Sequence, residues 1–145
     1  MKKILVAIAA LALFACSEKK ESDADETAMA AEETLISEVV GPEAFITKYK
    51  ETNGAVLIDL RTPPELEGGI VEGAINVDFN DESFRSKLET LDKDTPYFVY
   101  CAKGGRSGKA ALVMKELKFK EVYDMDGGFT AWTAQGLPVA AKPAD

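Results

Sequence analysis

The sequence contains no histidine, and this absence excludes several catalytic designs at once. A Ser-His-Asp triad, a Cys-His protease dyad, an HExxH zinc site and a histidine general base all need an imidazole ring. Only two cysteines occur, Cys16 and Cys101, which are too few for a Cys-rich structural zinc site and do not form a C-x-x-C redox pair. The chemistry of this chain must use other groups, and we expect no metal and no cofactor.

Positive charge is also scarce. The 145 residues include 17 basic and 25 acidic side chains, which gives a formal net charge of −8. An acidic chain of this kind is unsuited to a nucleic-acid partner held by phosphate contacts. The composition, 46% hydrophobic and 29% charged, is typical of a soluble globular protein, and the length is enough for one ordinary domain.

The apolar run near the N-terminus is too short to span a bilayer. It covers the eleven residues 4–14 and follows the basic start Met1-Lys2-Lys3, which predicts a secretory signal peptide over residues 1–15. The run ends in Leu-Phe-Ala-Cys at 13–16, which resembles a bacterial lipobox, where cleavage precedes a cysteine that is then lipidated. The alternative is an ordinary signal peptide cut near Ala15, with Cys16 a spare thiol. The lipobox implies a protein anchored through Cys16 in the cell envelope, on the periplasmic side or outer membrane.

Residues 16–34 have the composition of a tether. Seven acids and two lysines fall between 17 and 34, with Met29 the only large apolar side chain. Such a segment cannot bury enough apolar surface to offset the entropy lost on ordering. We expect a disordered acidic linker between the lipidated Cys16 and a domain over residues 35–140, with 141–145 a short C-terminal tail.

From residue 35 the pattern alternates between strands and helices. A short apolar segment at 35–39 comes first. Strands are predicted at 55–60, 74–77, 97–100 and 121–124, and helices at 42–52, 83–91, 106–117 and 129–134. The apolar runs 55–60 and 74–77 predict strands covered on both faces, helix 106–117 is expected to be well buried, and Trp132 is expected in the core. This alternation predicts an α/β fold with a parallel sheet and helices on both faces.

The chemistry concentrates in the loop CAKGGRS at 101–107, between the apolar strand and the apolar helix. In parallel α/β sheets, ligands bind beyond the carboxyl ends of the strands, so Cys101 faces the usual site. Gly104 and Gly105 allow positive φ, which lets the loop turn its N–H groups toward the sulfur. The helix start, Lys103 and Arg106 add positive charge, and together these groups should lower the pKa of the thiol. The alternative is an inert buried cysteine at a strand end.

Three stretches of the chain, taken in order, resemble a rhodanese-like domain over residues 36–139. They are VLIDLRTPPE (56–65) with GAINV (73–77), CAKGGRS (101–107), and DGGFTAW (126–132) with GLPV (136–139). The resemblance implies a three-layer α/β domain with a five-stranded parallel sheet flanked by helices. It also implies sulfurtransferase chemistry, in which Cys101 carries a persulfide between an anionic donor such as thiosulfate and a thiol or cyanide acceptor.

The remaining site residues follow from the loop and from the first motif. The substrate-binding candidates are Lys103, Gly104, Gly105, Arg106 and Ser107 of the loop together with Arg61, and Asp59 is the candidate structural brace. Arg106 has two roles open to it, because it could hold the donor or brace the loop. Asp59 and Arg61 are expected to form a polar brace, with substrate binding by Arg61 as the second possibility.

The sequence departs from the family at one place and leaves two other functions open. The family's Gly-His-Ile-Pro-Gly-Ala is replaced by GGIVEGA at 68–74, which lacks both the histidine and the proline. A non-catalytic binding or sulfur-sensing module is therefore one alternative. A Cys-dependent phosphatase or arsenate reductase is another. It fits less well because the C-x4-R spacing from Cys101 to Arg106 is one residue short of the loop that surrounds a tetrahedral oxyanion.

Overall fold

Strands and helices alternate along residues 35–142, the part of the chain that the structure, a computed structural model, describes. The elements are β1 Ile36–Val40, α1 Pro42–Glu51, β2 Val56–Asp59, a 3-10 helix Pro63–Gly68, β3 Ile75–Asn76, α2 Phe84–Glu89, β4 Tyr97–Tyr100, α3 Gly105–Glu116, β5 Glu121–Met125 and α4 Gly128–Ala134. The predicted signal peptide, Cys16 and the acidic tether lie outside the described residues, as do residues 143–145 of the predicted tail.

The five strands form one parallel sheet in the order β1-β5-β4-β2-β3. Strand β4 occupies the middle, and all four of its residues are buried. Its sequence, Tyr-Phe-Val-Tyr, consists of the aromatic and β-branched residues that suit a strand covered on both faces. The predicted α/β fold with a five-stranded parallel sheet is confirmed.

Helices cover both faces of the sheet and give three layers. On one face, α2 and α3 pack against Val99 and Val122 through Leu88 and Met114. On the other face, the core cluster joins Phe45 of α1 and Trp132 of α4 to Phe98, Tyr100 and Met125 of the strands. Trp132 is 2% exposed, as predicted for a core residue.

Two predictions about burial are wrong, one for the run 74–77 and one for the helix after Cys101. The run 74–77 forms only a two-residue strand, β3, which lies at one edge, so Ile75 is 47% exposed rather than covered. Helix α3 covers the sheet with one face only, which leaves Leu112 64% exposed. The apolar segment 35–39, for which no burial was predicted, forms most of the other edge strand, β1, where Val39 is exposed. Within residues 35–142, no helix is long and apolar enough to cross a membrane.

Candidate active site

Strand β4 places Cys101 at the carboxyl edge of the sheet, midway along that edge. Cys101 directly follows the last residue of β4, and β2 and β5 flank this strand on its two sides. The cysteine is reduced and 1% exposed. Because the four residues before it are fixed by burial and by ladder hydrogen bonds, the position of the sulfur is set by the core rather than by the loop.

The loop after β4 directs its hydrogen-bond donors at Sγ of Cys101. The Gly104 N–H donates to Sγ at 3.2 Å, and the Ser107 hydroxyl lies 3.6 Å from it. Burial alone would raise the pKa of the Cys101 thiol, but the N–H and hydroxyl of Ser107 and the N–H groups of Lys103 and Arg106 bring it below its usual value. The direction of this pKa shift is the one predicted for the loop, and hydrogen-bond donors of the loop produce it.

The glycine pair of the loop does two different things. Gly104 has φ 93°, in the left-handed region that favours glycine, and it is the residue at which the loop turns into α3. Gly105 is the first residue of α3 and has ordinary helical geometry, so positive φ at this position was a wrong prediction. Only one residue is needed to reverse the chain before a helix, because the helix itself requires negative φ from its first position.

The start of α4 fixes the backbone of the loop from the side. The N–H groups of Phe129 and Thr130 donate to the carbonyls of Cys101 and Ala102 at 2.8 and 2.9 Å. Gly128 has φ 58°, and a Cβ built on it would lie 2.3 Å from the Cys101 carbonyl oxygen. Glycine is therefore required at 128 both by its conformation and by the close approach of the loop backbone.

A pocket of about 380 Å³ opens over the loop, lined by Cys101, Ala102, Lys103, Gly105, Arg106 and Lys109. Lys103 and Lys109 are exposed, and in the described part of the chain neither ammonium pairs with a carboxylate. These two unpaired cations beside Cys101 make the pocket suitable for a small anion. Lys109 was not among the predicted site residues. Its position one helical turn after Arg106 is the signal that could have identified it.

Arg106 is held by a carboxylate from a distant part of the chain. Its two terminal nitrogens donate to the two oxygens of Glu65 at 2.7 and 2.6 Å, and both side chains are partly buried. The Arg106 guanidinium lowers the pKa of Glu65 to about 2, so the pair stays ionised at neutral pH. This bidentate pair balances the charge of Arg106 and ties the loop to the 3-10 helix. The geometry thus gives Arg106 the role of a brace, and because Arg106 also lines the pocket, donor binding by this residue stays a prediction.

Asp59 and Arg61 form a buried pair at the carboxyl end of β2. The side chains are 1% and 3% exposed, and Nη2 of Arg61 donates to Oδ2 of Asp59 at 2.6 Å. Arg61 also donates to the carbonyls of Glu65 and Gly69, and the Tyr100 hydroxyl donates to Oδ2 of Asp59 at 2.6 Å. The pair therefore joins the segment before β3 to β2 and β4. Arg61 lies outside the residues that line the pocket.

The geometry of the site agrees with the similarity of the chain to known proteins. The family model described as Rhodanese-like domain matches residues 43–135. The chain belongs to the rhodanese-like domain family. A sulfurtransferase of Allochromatium vinosum is 28% identical over 102 residues, which are 70% of this chain and 94% of that protein. The thiosulfate sulfurtransferase GlpE of Pseudomonas putida is 34% identical over 95 residues, 66% of this chain and 84% of that one.

A solved structure supports the same assignment. The crystal structure of a rhodanese-related protein from Thermoplasma volcanium has 28% sequence identity and a TM-score of 0.59, and the match covers 75% of this chain and 99% of that chain. The rhodanese-like fold and the α/β architecture expected from the sequence are thus confirmed. In this rhodanese-like domain the loop at 101–107 occupies the carboxyl edge of the sheet, where the donors and the pocket meet.

The structure brings together the predicted site residues of the loop, whereas Arg61 lies outside the pocket. Cys101, Gly104 and Ser107 meet at the sulfur, while Lys103, Gly105 and Arg106 line the pocket.

Two acidic side chains near the loop of this rhodanese-like domain were not predicted. Glu65 could have been identified only from its partner Arg106, whereas Asp124 is visible in the sequence as an acid within an apolar strand.

Proposed function

We propose that this protein is a sulfurtransferase that moves a sulfane sulfur from thiosulfate, or a related anionic donor, to a thiol or cyanide acceptor through a persulfide on Cys101. The observation that carries this proposal is the convergence of loop N–H groups on a cysteine sulfur whose pKa they lower. The relatives named sulfurtransferase and thiosulfate sulfurtransferase support the same reaction class.

The first half of the reaction uses the thiolate as nucleophile. The Cys101 sulfur attacks the outer sulfur of thiosulfate, the bond between the two donor sulfurs breaks, and sulfite leaves with its electron pair. One negative charge remains on the terminal sulfur of the new persulfide. This sulfur is one bond from Sγ, so the N–H groups that converge on Sγ lie near it and can stabilise the anion.

The second half returns the enzyme to its starting state. Cyanide, or the thiolate of an acceptor, attacks the terminal sulfur of the persulfide, and Cys101 leaves as a thiolate. No proton has to move in either step when the acceptor arrives as an anion, which is consistent with a site that contains no histidine. The same N–H groups then stabilise the departing thiolate.

The experiment that tests this function measures thiocyanate formed from thiosulfate and cyanide by the purified full chain carrying Cys16→Ser, in which Cys101 is the only thiol. Turnover above the uncatalysed rate is expected, with one cyanide-removable sulfur atom bound per chain in the absence of acceptor. Uptake of one sulfur without turnover would contradict the enzymatic proposal and would favour the binding or sensing module instead.

Donor selection should depend on the unpaired lysines of the pocket. Because Glu65 balances the charge of Arg106, Lys103 and Lys109 supply the positive charge that a dianionic donor meets. One charge-assisted contact is worth about 1.5 kcal/mol, so Lys103→Ala should lower kcat/KM for thiosulfate roughly tenfold at low salt. The loss should shrink as ionic strength rises, because salt screens a partly exposed charge.

Lys115→Ala is the matched control for this prediction. Lys115 is an exposed lysine in the last turn of α3, away from the pocket, so its removal changes the net charge equally without changing the site. Thiosulfate kinetics of both variants, measured across a salt series, separate local from global charge effects. Equal kcat/KM for wild type and Lys103→Ala at low salt would mean that loop charge does not select the donor.

We also propose that the protein is lipid-anchored outside the cytoplasm through Cys16, on the basis of the basic start, the apolar run and the cysteine at its end. In a bacterial host, Cys16→Ala should accumulate as uncleaved precursor without fatty-acid label. Cys101→Ala is the control and should be processed and labelled like wild type. Normal cleavage and labelling of the Cys16→Ala variant would contradict this location.

A further inference from the structure

Asp124 lies beneath the active-site loop, on the face of the sheet that α3 covers. It stands in register with Val99 of β4, two residues before Cys101. Side chains alternate along a strand, and Val122 of β5 belongs to the same core cluster as Val99 and Cys101. Asp124 therefore points toward the first turn of α3, where the donors to the sulfur are located.

The surroundings of Asp124 leave its carboxyl buried and only partly hydrogen-bonded. The residue is 6% exposed, and within residues 35–142 its Oδ1 atom has no hydrogen-bond partner. Gly108 of α3 faces it, and a Cβ at that position would lie 3.6 Å from Oδ2. A buried carboxylate oxygen without a donor is costly, and protonation of the carboxyl reduces that cost.

Ser107 connects Asp124 to the reacting sulfur. Its side chain is fully buried in the first turn of α3, directly before Gly108, which faces the Asp124 carboxyl. Its hydroxyl is close enough to that carboxyl to lower the carboxyl pKa. The same oxygen lies 3.6 Å from Sγ of Cys101 and 3.1 Å from the carbonyl oxygen of Gly104. A serine has one hydroxyl hydrogen, so these acceptors compete for a single donor.

The competition depends on the charge of the carboxyl. A neutral Asp124 can donate its own hydrogen to the Ser107 oxygen, which leaves the serine hydrogen available to the sulfur. An ionised Asp124 is a strong acceptor and draws the serine hydrogen toward itself. The sulfur anion then loses one of the donors that stabilise it.

We propose that Asp124 is a positioning residue which, through the Ser107 hydroxyl, sets the hydrogen bonding of the Cys101 sulfur: the neutral carboxyl directs the serine hydrogen to the sulfur, and the carboxylate withdraws it. The identity of Cys101 as the reacting sulfur is taken from the proposed function. The consequence concerns the thiolate itself and can be measured without sulfur transfer.

The groups around Asp124 place its titration in the range where this competition matters. Burial is the main cause that raises the pKa of Asp124 to about 6, and the charge of Asp126 also raises this pKa. The hydroxyl of Ser107 and the N–H of Met125 lower it in part. On the β4 side of Asp124, the titratable group is the Cys101 thiol, which the Ser107 hydroxyl connects to Asp124. On the β1 side, the residue in register with Asp124 is Val39, which does not titrate. The carboxylate and the thiolate are thus expected to disfavour each other.

The test measures the rate of Cys101 alkylation by iodoacetamide, a neutral reagent, against pH in the full chain carrying Cys16→Ser. Asp124→Asn should lower the apparent pKa of the thiol by about one unit, because the uncharged amide leaves the serine hydrogen with the sulfur. Asp126→Asn is the matched control, since it removes a neighbouring charge from the same segment, and it should shift the profile much less.

A double-mutant cycle separates the hydrogen-bond route from direct repulsion between charges. In the Ser107→Ala background, Asp124→Asn should change the thiol pKa little, because the connecting hydroxyl is gone. An equal shift in both backgrounds would overturn the proposal in favour of repulsion through space, and no shift in either would overturn it outright. If Ser107→Ala does not fold, Ser107→Gly takes its place in the cycle, and a shift from Asp124→Asn as large as in the wild-type background would again overturn the proposal.

Discussion

Replacing Cys101 by serine is expected to abolish sulfur transfer and to leave the fold intact. A serine hydroxyl stays protonated at neutral pH and cannot form a persulfide, so both half-reactions lose their carrier. The oxygen is smaller than the sulfur but can accept the hydrogen bonds that Gly104 and Ser107 direct at Sγ. The expected loss is therefore chemical rather than structural, and activity should fall to the uncatalysed background.

Three measurements check this prediction. Intact-mass spectrometry after incubation with thiosulfate should show one added sulfur atom in the Cys16→Ser chain and none when Cys101→Ser is added. Thiocyanate formation should disappear, while the urea midpoint of unfolding should change little. A cyanide-removable sulfur that persists in the double variant would show that Cys101 is not the carrier.

The second large effect is expected on stability, from Arg61→Ala. This change leaves the Asp59 carboxylate buried, with hydrogen bonds from the Tyr100 hydroxyl and the main-chain N–H of residue 61 as its remaining support. It also removes a cation that lies 3.8 Å from the centre of the Phe129 ring. Breaking a buried ion pair by removing one partner costs about 3 to 5 kcal/mol, a large part of the stability of a domain of this size.

Arg85→Ala provides the matched control. Arg85 pairs with Glu89 and Glu116, but all three side chains are at least half exposed, so its removal should cost less than about 1 kcal/mol. Urea unfolding of both variants gives the comparison. Because Arg61 lies outside the pocket, the folded fraction of Arg61→Ala should keep a nearly normal KM for thiosulfate. A strongly raised KM with unchanged stability would instead make Arg61 a substrate ligand.

The order of the strands and helices could be read from the sequence because their signals are local. The run Tyr97–Tyr100 and the helix start after Gly104 follow from residues next to each other in the chain. The thiolate-favouring loop is also local, because the donors to Cys101 come from residues 103 to 107. An apolar strand that ends at a cysteine, followed by glycines and a helix, contains all of this information within ten positions.

What the sequence left undecided depends on which elements become neighbours. Arg106 is equally able to bind an anion or to brace the loop until Glu65, 41 residues earlier, is brought against it by the fold. In the same way, Asp124 lies against the first turn of α3 only because β5 pairs with β4 in a register that places Asp124 opposite Val99.

The sequence by itself therefore determined the candidate nucleophile Cys101 of the proposed function, the loop that lowers its pKa and the α/β class, because each depends on short-range hydrophobic patterning and backbone geometry. The tertiary structure alone decided which strands are edges, which charges of the loop remain unpaired and which carboxyl lies below the sulfur. Charges separated by tens of residues interact through distance and burial, and a linear pattern contains neither. Lys103 and Lys109 are the unpaired cations of the pocket for this reason: the fold gave Arg106 a carboxylate and left the lysines in solvent.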